Sequence, residues 1–363
     1  KIWPASSAER ADAAGRAGGT GLIVASMSRT PPPPDPPRGP IVDPYGRRIH
    51  YVRMSVTDRC NFRCVYCMPD EDFERTERDE LMSFEEIERL GRVLTEMGVD
   101  RIRLTGGEPT VRRDILALVG RLARLPGLAD LAMTTNGWNL AKIAGPLRDA
   151  GLTRLNISID TLQRARFLDI TKVDRLDDVL AGIEAVAAMG WLPLKLNVVV
   201  VQGMNEDEVA DFVDRFASLP VTIRFIEYMP FGTSRFGLVP WEATRARLEE
   251  RYSLLPSAGP DGSGPANYWS IAGTAVEVGA IGALSRQFCE ACNRVRITSD
   301  GRLKTCLAYE PEMVSLRDVL RSGGSDDDLD AAIRAGMLRK PIAHITGQDG
   351  SNPFEGTMIQ IGG

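Results

Sequence analysis

Histidine is nearly missing from this chain. His50 and His344 are the only two among 363 residues, too few for a multi-histidine zinc centre or for proton relay between imidazoles. An excess of positive charge is missing as well. The net charge is -5, which argues against bulk nucleic-acid binding and against a polybasic membrane anchor. No apolar run approaches the ~20 residues that cross a bilayer. The first thirty residues lack the basic-then-apolar order of a secretory leader. These absences read as a cytoplasmic protein with neither a membrane nor a nucleic acid as partner. In that reducing compartment clustered cysteines signal metal or redox chemistry more often than disulfides.

Six cysteines are present, and they fall into two triplets with none left over. Cys60, Cys64 and Cys67 form C-x3-C-x2-C. Cys289, Cys292 and Cys306 form C-x2-C-x13-C. Thiolates select iron–sulfur clusters, zinc or copper(I). Three per group is one short of the four that close a structural site, so each triplet predicts a metal centre with an open position. A structural zinc site that recruits a distant ligand is the competing reading for the first, and a zinc ribbon with three cysteines for the second.

The organisation around them is α/β. Residues 1–42 are rich in Ala, Gly, Ser and Pro, a composition that predicts a disordered or extended segment. Strand-like runs then alternate with amphipathic helical stretches. The strands are expected at Val52–Val56, Arg101–Thr105, Leu131–Thr135, Arg154–Ile159, Leu194–Val201 and Thr222–Tyr228. The helices are expected at Ser83–Met97, Arg113–Leu125, Asn139–Ala150, Leu176–Met189 and Glu206–Leu219, the first opened by a Ser83–Glu86 capping box. Such alternation implies a parallel sheet. Six units are two short of a closed eight-stranded barrel, which predicts a partial, open TIM-like (β/α)6 barrel over 43–235. Residues 236–363 lose the rhythm and read as a C-terminal α+β extension. It has a loop at 256–266, short strands, an Asp300-Gly301 hairpin turn and helices at Ser315–Arg321 and Asp326–Leu338.

The first triplet directly follows the first strand, where the loops of a β/α barrel form the active face. C-x3-C-x2-C with Tyr66 before its last cysteine resembles the radical S-adenosylmethionine (SAM) superfamily. That resemblance implies a 4Fe–4S cluster whose open iron binds SAM and cleaves it to a 5′-deoxyadenosyl radical. Thr105-Gly106-Gly107-Glu108-Pro109 follows the second strand, where glycines admit close backbone approach and a carboxylate can receive an ammonium group. In this position it resembles the superfamily's site for the SAM amino group. Tyr66, Gly107, Ser158 and Met229 resemble SAM contacts.

Arg294 and Arg296 lie two apart beside the second triplet and so share one strand face, an anion clamp in outline. Arg53, Arg103 and Lys195 also fall on strands. Several cations converging on one barrel mouth of an acidic chain suit a polyanion such as a nucleoside triphosphate. Together with Leu104-Thr-Gly-Gly-Glu-Pro-Thr-Val-Arg-Arg-Asp114, Thr134-Thr-Asn-Gly137, Phe225-Ile-Glu-Tyr-Met-Pro-Phe-Gly232 and the terminal Gly362-Gly363, these motifs resemble the GTP 3′,8-cyclase family of molybdenum-cofactor biosynthesis over residues 45–363. The resemblance implies that the second triplet holds a second 4Fe–4S cluster, whose open iron contacts guanine. It implies GTP contacts at Arg53, Arg103, Thr134, Lys195, Arg294 and Arg296, and a tail, Gly362 and Gly363, inserted into the site. It further implies a flavodoxin- or ferredoxin-like reductant, a homodimer, and handover to the next enzyme of the pathway. Another two-cluster radical SAM enzyme acting on a peptide, or a zinc-stabilised binding protein, are the alternatives.

Overall fold

Side chains that alternate between two chemistries along six strands set the architecture. The computed structural model describes residues 36–68, 75–231, 236–260, 264–308, 313–343 and 358–359. The head expected to be disordered over 1–42 lies outside them up to residue 35, but its end is ordered: Ile41–Val42 pairs with Arg48–Ile49 as a short strand, Ile41 is buried, and Arg38 pairs with Glu96. The tail Gly362-Gly363 also lies outside them. The strands are β1 Tyr51–Ser55, β2 Arg101–Thr105, β3 Asp130–Thr135, β4 Arg154–Ser158, β5 Leu194–Gln202 and β6 Val221–Glu227. Each lies within one residue of its expected position at either end. Neighbours pair in sequence order and in parallel. Val52, Met54, Ile102, Leu104, Leu131 and Met133, with their counterparts on β4 to β6, point outward into one continuous apolar core under the helices. The residues between them point inward, and there the polar side chains collect.

Helices α1 Phe84–Glu96, α2 Ile115–Leu122, α3 Leu140–Asp149, α4 Arg164–Thr171, α5 Leu176–Ala188 and α6 Val209–Phe216 cross over between the strands. Ser83 caps α1 in a complete capping box with Glu86. Two helices were not expected: α4, and α7 Trp241–Glu249. Each buries three residues, Phe167, Ile170 and Thr171 in α4 and Trp241, Thr244 and Leu248 in α7. Stripes that narrow, broken by charged residues, leave little periodicity to read.

The C-terminal region adds β7 Leu254–Ser257, β8 Asn267–Ile271, β9 Glu277–Ile281, β10 Arg294–Ile297, β11 Arg302–Lys304, β12 Val314–Ser315, α8 Leu316–Arg321 and α9 Asp326–Met337. Its strands join the same sheet at both edges. β9 pairs with β6 in parallel, and β10 pairs with β1 in parallel. Eight parallel strands thus stand in a row, β9-β6-β5-β4-β3-β2-β1-β10, with antiparallel hairpins beyond each end. Because β9 and β10 do not pair, the row stays an open barrel. β7 corrects the expected loop at 256–266, since Pro256 and Ser257 pair with Trp269 and Tyr268. A proline without an N–H is tolerated because β7 is an edge strand. The β10–β11 hairpin turns at Asp300-Gly301, where Gly301 takes φ 80°.

A chain ended at Glu250 would keep β1 to β6 and leave both β1 and β6 as bare edges. Such a truncation is expected to be insoluble or self-associated. A soluble monomer by analytical ultracentrifugation would contradict the view that the C-terminal strands complete this sheet.

Candidate active site: two cysteine triplets and a basic interior

The loop carrying Cys60, Cys64 and Cys67 leaves the C-terminal end of β1 and is held on three sides. The β2 loop supports it from beneath: Gly107 N donates to Thr57 O at 2.7 Å, and Glu108 N to Arg59 O at 2.8 Å. A Cβ at Gly107 would stand 2.4 Å from Arg59 O, and one at Gly106 2.3 Å from Thr57 O, so only glycine allows this approach. On the second side, Arg63 N and Val65 N donate to the carbonyls of Thr171 and Ile170 at the end of α4. Phe62 stacks on Trp138 and meets Phe167 edge-on. On the third, the Tyr66 hydroxyl donates to the Asp160 carboxylate just beyond β4, and Asp160 Oδ1 accepts from Val199 N at 2.8 Å. Burial pushes the Asp160 carboxyl up to about 6.

Burial first, and neighbouring negative charge second, push Cys60 up to about 11 and Cys67 up to about 12, and raise Cys64 as well. As thiolates they need positive charge beside them. Among the described residues no three Cys, His, Asp or Glu donors gather tightly enough to chelate a single metal ion. The donor set of three soft thiols fits an iron–sulfur cluster with one iron free of protein ligands.

Glu108 is anchored by hydrogen bonds. Its Oε1 accepts from Thr110 N at 3.0 Å, Thr110 Oγ1 at 2.6 Å and Thr135 Oγ1 at 2.8 Å, and its Oε2 accepts from Asn136 N at 2.6 Å. These bonds brace the β2 loop to the end of β3, and Oε2 takes only one of them. Asn136, held in this way, donates to Asn61 Oδ1 at 2.7 Å and lies 3.9 Å from Cys60 Sγ.

The inward face carries the cations. Direct register places Lys304, Arg296, Arg53 and Arg103 side by side across β11, β10, β1 and β2. One rung further along, Thr134, Asn156, Lys195 and Thr222 align across β3 to β6. Asn156 joins the two sets: with its amide turned to satisfy its neighbours, its oxygen accepts from both Arg103 and Arg224. Arg224 Nε also donates to Asn197 Oδ1 at 3.0 Å. Burial, and then the charges of Arg224, Arg154 and Arg103, pull Lys195 down to about 7. Burial and Arg103 bring Arg224 to about 10, and burial and Arg294 bring Arg296 to about 10. Arg53 is lowered by burial and by Arg296, Arg103 and Arg294. The buried Arg103 Nε and Thr134 Oγ1 find no partner among the described residues.

Cys289, Cys292 and Cys306 lie at the opposite end of this interior. Cys292 precedes β10, whose Arg294 is level with Tyr51 at the start of β1. Cys306 follows β11, which runs back along β10. Arg294 itself covers the Phe288 ring, 4.9 Å from its centroid. Burial raises the Cys292 thiol, but Lys340 and Arg294 outweigh it and hold that thiol below its usual value. Ser158 ends β4 half-buried, in register with Asn197. Met229 packs in a small apolar cluster with Phe231, Leu284, Leu307, Ala308, Met358 and Cys306.

Comparison with known proteins identifies the arrangement. Residues 54–216 match the family model for the Radical SAM superfamily, and residues 221–346 match that for Molybdenum Cofactor Synthesis C. The GTP 3′,8-cyclase of Heliobacterium modesticaldum is 44% identical over 89% of this chain and 100% of its own length. The chain belongs to the GTP 3′,8-cyclase family. A mitochondrial GTP 3′,8-cyclase of Arabidopsis thaliana is 41% identical over 89% of this chain and 83% of its own. Among solved structures, Streptococcus suis SuiB bound to S-adenosylmethionine superposes with a TM-score of 0.57 at 15% identity, covering 87% of this chain and 78% of that one. That likeness is one of fold. Membership of the superfamily implies SAM and a 4Fe–4S cluster. Among the described residues no helix is long and apolar enough to cross a membrane.

Several residues of the site escaped the sequence reading: Asp160, Asn156, Asn197, Arg224, Lys304 and Lys340. Arg224 had a signal, because it falls on an inward position of β6 as Lys195 does on β5. Lys340 had none, since it lies outside every strand.

Replacing Glu108 by Gln puts an amide N–H against groups that already donate. The change is expected to cost about 1–3 kcal/mol, read as a lower urea midpoint of the cluster-free chain. An unchanged midpoint would show that the four hydrogen bonds do not brace the loop.

Proposed function

We propose that this chain converts GTP to 3′,8-cyclo-7,8-dihydroguanosine 5′-triphosphate, the first step of molybdenum-cofactor biosynthesis. The observation that carries the reading is a row of basic residues on the inner face between two cysteine triplets, Arg296, Arg53 and Arg103 in direct register, with Lys195 one rung along. Guanidiniums bind phosphate oxygens in pairs, so such a row suits a triphosphate. From the start of β1 to its end is five residues at about 3.3 Å each, on the order of 15 Å. An extended nucleotide fits that span, with its base towards one triplet and its ribose towards the other.

Cys60, Cys64 and Cys67 would hold the first 4Fe–4S cluster, which with SAM supplies the 5′-deoxyadenosyl radical that removes hydrogen from ribose C3′. Tyr66, Gly107, Ser158 and Met229 are the proposed contacts for SAM. Gly107 already presses the β2 loop against the cysteine loop, and Tyr66 fixes that loop through Asp160. Cys289, Cys292 and Cys306 would hold the second cluster, against the guanine. Arg53, Arg103, Lys195, Arg294 and Arg296 would hold the triphosphate, with Thr134 offering its unpartnered hydroxyl. Fixing both ends of the nucleotide brings C3′ within reach of guanine C8. The C3′–C8 bond forms as the C8–N7 double bond opens, and one electron and one proton then complete a product isomeric with GTP. A flavodoxin- or ferredoxin-like protein is the proposed electron source.

The proposed assembly is a cytoplasmic homodimer that passes its product to the next enzyme of the pathway. Segments 43–235 and 236–363 would each contribute one triplet to a single site. Packing of Met358 beside Leu307 and Cys306 supports a tail that carries Gly362 and Gly363 towards the same interior.

Anaerobically reconstituted protein given GTP, SAM and dithionite is expected to yield 5′-deoxyadenosine and a nucleotide of the same mass as GTP. Fully loaded protein that produces neither would overturn the assignment.

Lys195 gives binding a pH signature. In the free protein its value is about 7, so above neutrality it is largely uncharged, and a triphosphate must draw a proton onto it. Between pH 7.5 and 9 GTP affinity is expected to fall by up to about tenfold per pH unit, with proton uptake on binding. Calorimetry in buffers of different ionisation enthalpy reads that uptake. Lys195→Met should bind weakly and without this pH dependence, and zero uptake in the unmodified chain at pH 8 would refute the role.

A further inference from the structure

Lys340 lies three residues beyond α9 and is only 3% exposed to solvent, and none of the assigned GTP or SAM contacts includes it. Its ammonium has three donors, and three acceptors meet them. They are Thr305 O at 2.6 Å, Arg294 O at 3.0 Å and Cys292 Sγ at 3.5 Å. Thr305 immediately precedes Cys306, and Arg294 follows Cys292 by two residues. One ammonium therefore ties together the two chain segments that carry Cys292 and Cys306.

The strap bearing Lys340 is itself fixed. Lys340 N donates to Met337 O at 3.0 Å. Arg47 donates to Pro341 O at 2.6 Å and Ile342 O at 2.8 Å, and also to Cys289 O at 2.6 Å. The charges of the two cations are met differently. Arg47 pairs with the buried Asp43 carboxylate. Lys340 has its hydrogen bonds but no carboxylate partner among the described residues. A buried ammonium without an anion is unfavourable, and the nearest groups able to supply one are the thiols of the second triplet. A 4Fe–4S core on three thiolates is net negative, so its charge would complement Lys340.

We propose that Lys340 is a positioning residue for the second cluster: its N–H···S bond to Cys292 raises the cluster's reduction potential and holds Cys292 and Cys306 in ligating register. Hydrogen bonds to cluster sulfurs and nearby positive charge favour the reduced, more negative state. The inference rests on the reading that the second triplet binds a 4Fe–4S cluster.

The test uses the full-length chain with Cys60, Cys64 and Cys67 replaced by Ala, so that the second cluster alone titrates. Lys340→Met and Lys340→Arg are compared with the Lys340 parent by iron and sulfide analysis and by redox titration followed by electron paramagnetic resonance. Lys340→Met is expected to shift the midpoint to lower potential with altered g values, and Lys340→Arg, which keeps charge and donor, to recover most of the shift. A loaded Lys340→Met cluster with the parent's midpoint and spectrum overturns the proposal. If Lys340→Met loads no cluster, iron retained in Lys340→Arg supports the proposal and iron lost from both overturns it. A parent that binds no iron instead refutes the second cluster itself.

Discussion

Parallel strands in direct register carry their residues straight across the sheet, and here that places basic side chains beside basic side chains. Arg296, Arg53 and Arg103 occupy one rung of three adjacent strands. Strands lie about 4.8 Å apart, and two unit charges at that spacing repel by on the order of 3 kcal/mol at an effective dielectric of about 20. The chain bears this on an inward face where solvent is scarce. The apolar stripes of the same strands face outward to the helices, so folding buries oil on one side and collects cations on the other. The rest of the site follows from that division. Asn156 and Asn197 act as neutral acceptors that hold Arg103 and Arg224 apart without cancelling their charge. A carboxylate in their place would neutralise the interior and remove its attraction for a polyanion.

The placement of the C-terminal strands makes the site one object. β10 and β9 join opposite edges of the six-unit row, so the C-terminal region flanks the interior on both sides. β10 brings Arg294, Arg296 and the second triplet to the edge beside β1, the strand that leads to the first triplet. Both triplets therefore address the same strand, one at each end. A loop-borne domain docked on the barrel would not fix that spacing, whereas a ladder of backbone hydrogen bonds does.

Much of this was legible in the residues. Alternation of strand-like runs with amphipathic helical stretches marked β1 to β6 to within one residue, and the Ser83–Glu86 box marked the start of α1. The first cysteine spacing, read with Thr105-Gly106-Gly107-Glu108, pointed to the radical SAM superfamily that the family match shows. What was not legible has physical causes. α4 and α7 bury too few residues for a stripe to stand out. β7 contains Pro256 in a stretch rich in turn residues, and only its position at a sheet edge makes it a strand. The service of Glu108 as a brace depends on Thr135 and Asn136, which are distant in sequence and adjacent only because β2 and β3 pair. Asn156, Asn197 and Lys304 are ordinary residues in sequence, and register alone makes them part of the charged face.

Lys340 and the arginine row are coupled through one short strand. The ammonium of Lys340 bonds the carbonyl of Arg294, the first residue of β10, while Arg296 on the same strand stands level with Arg53. β10 is only four residues long, so whatever fixes its first carbonyl fixes the lateral placement of both arginines. Thiolates and metal at the second triplet would complement Lys340, and in doing so would steady the strand that presents the guanidiniums. On the proposed reading, phosphate binding and cluster binding would then not be independent events on a shared surface. The second triplet would set the edge strand, the edge strand the arginine row, and the row where a triphosphate would lie relative to the first triplet.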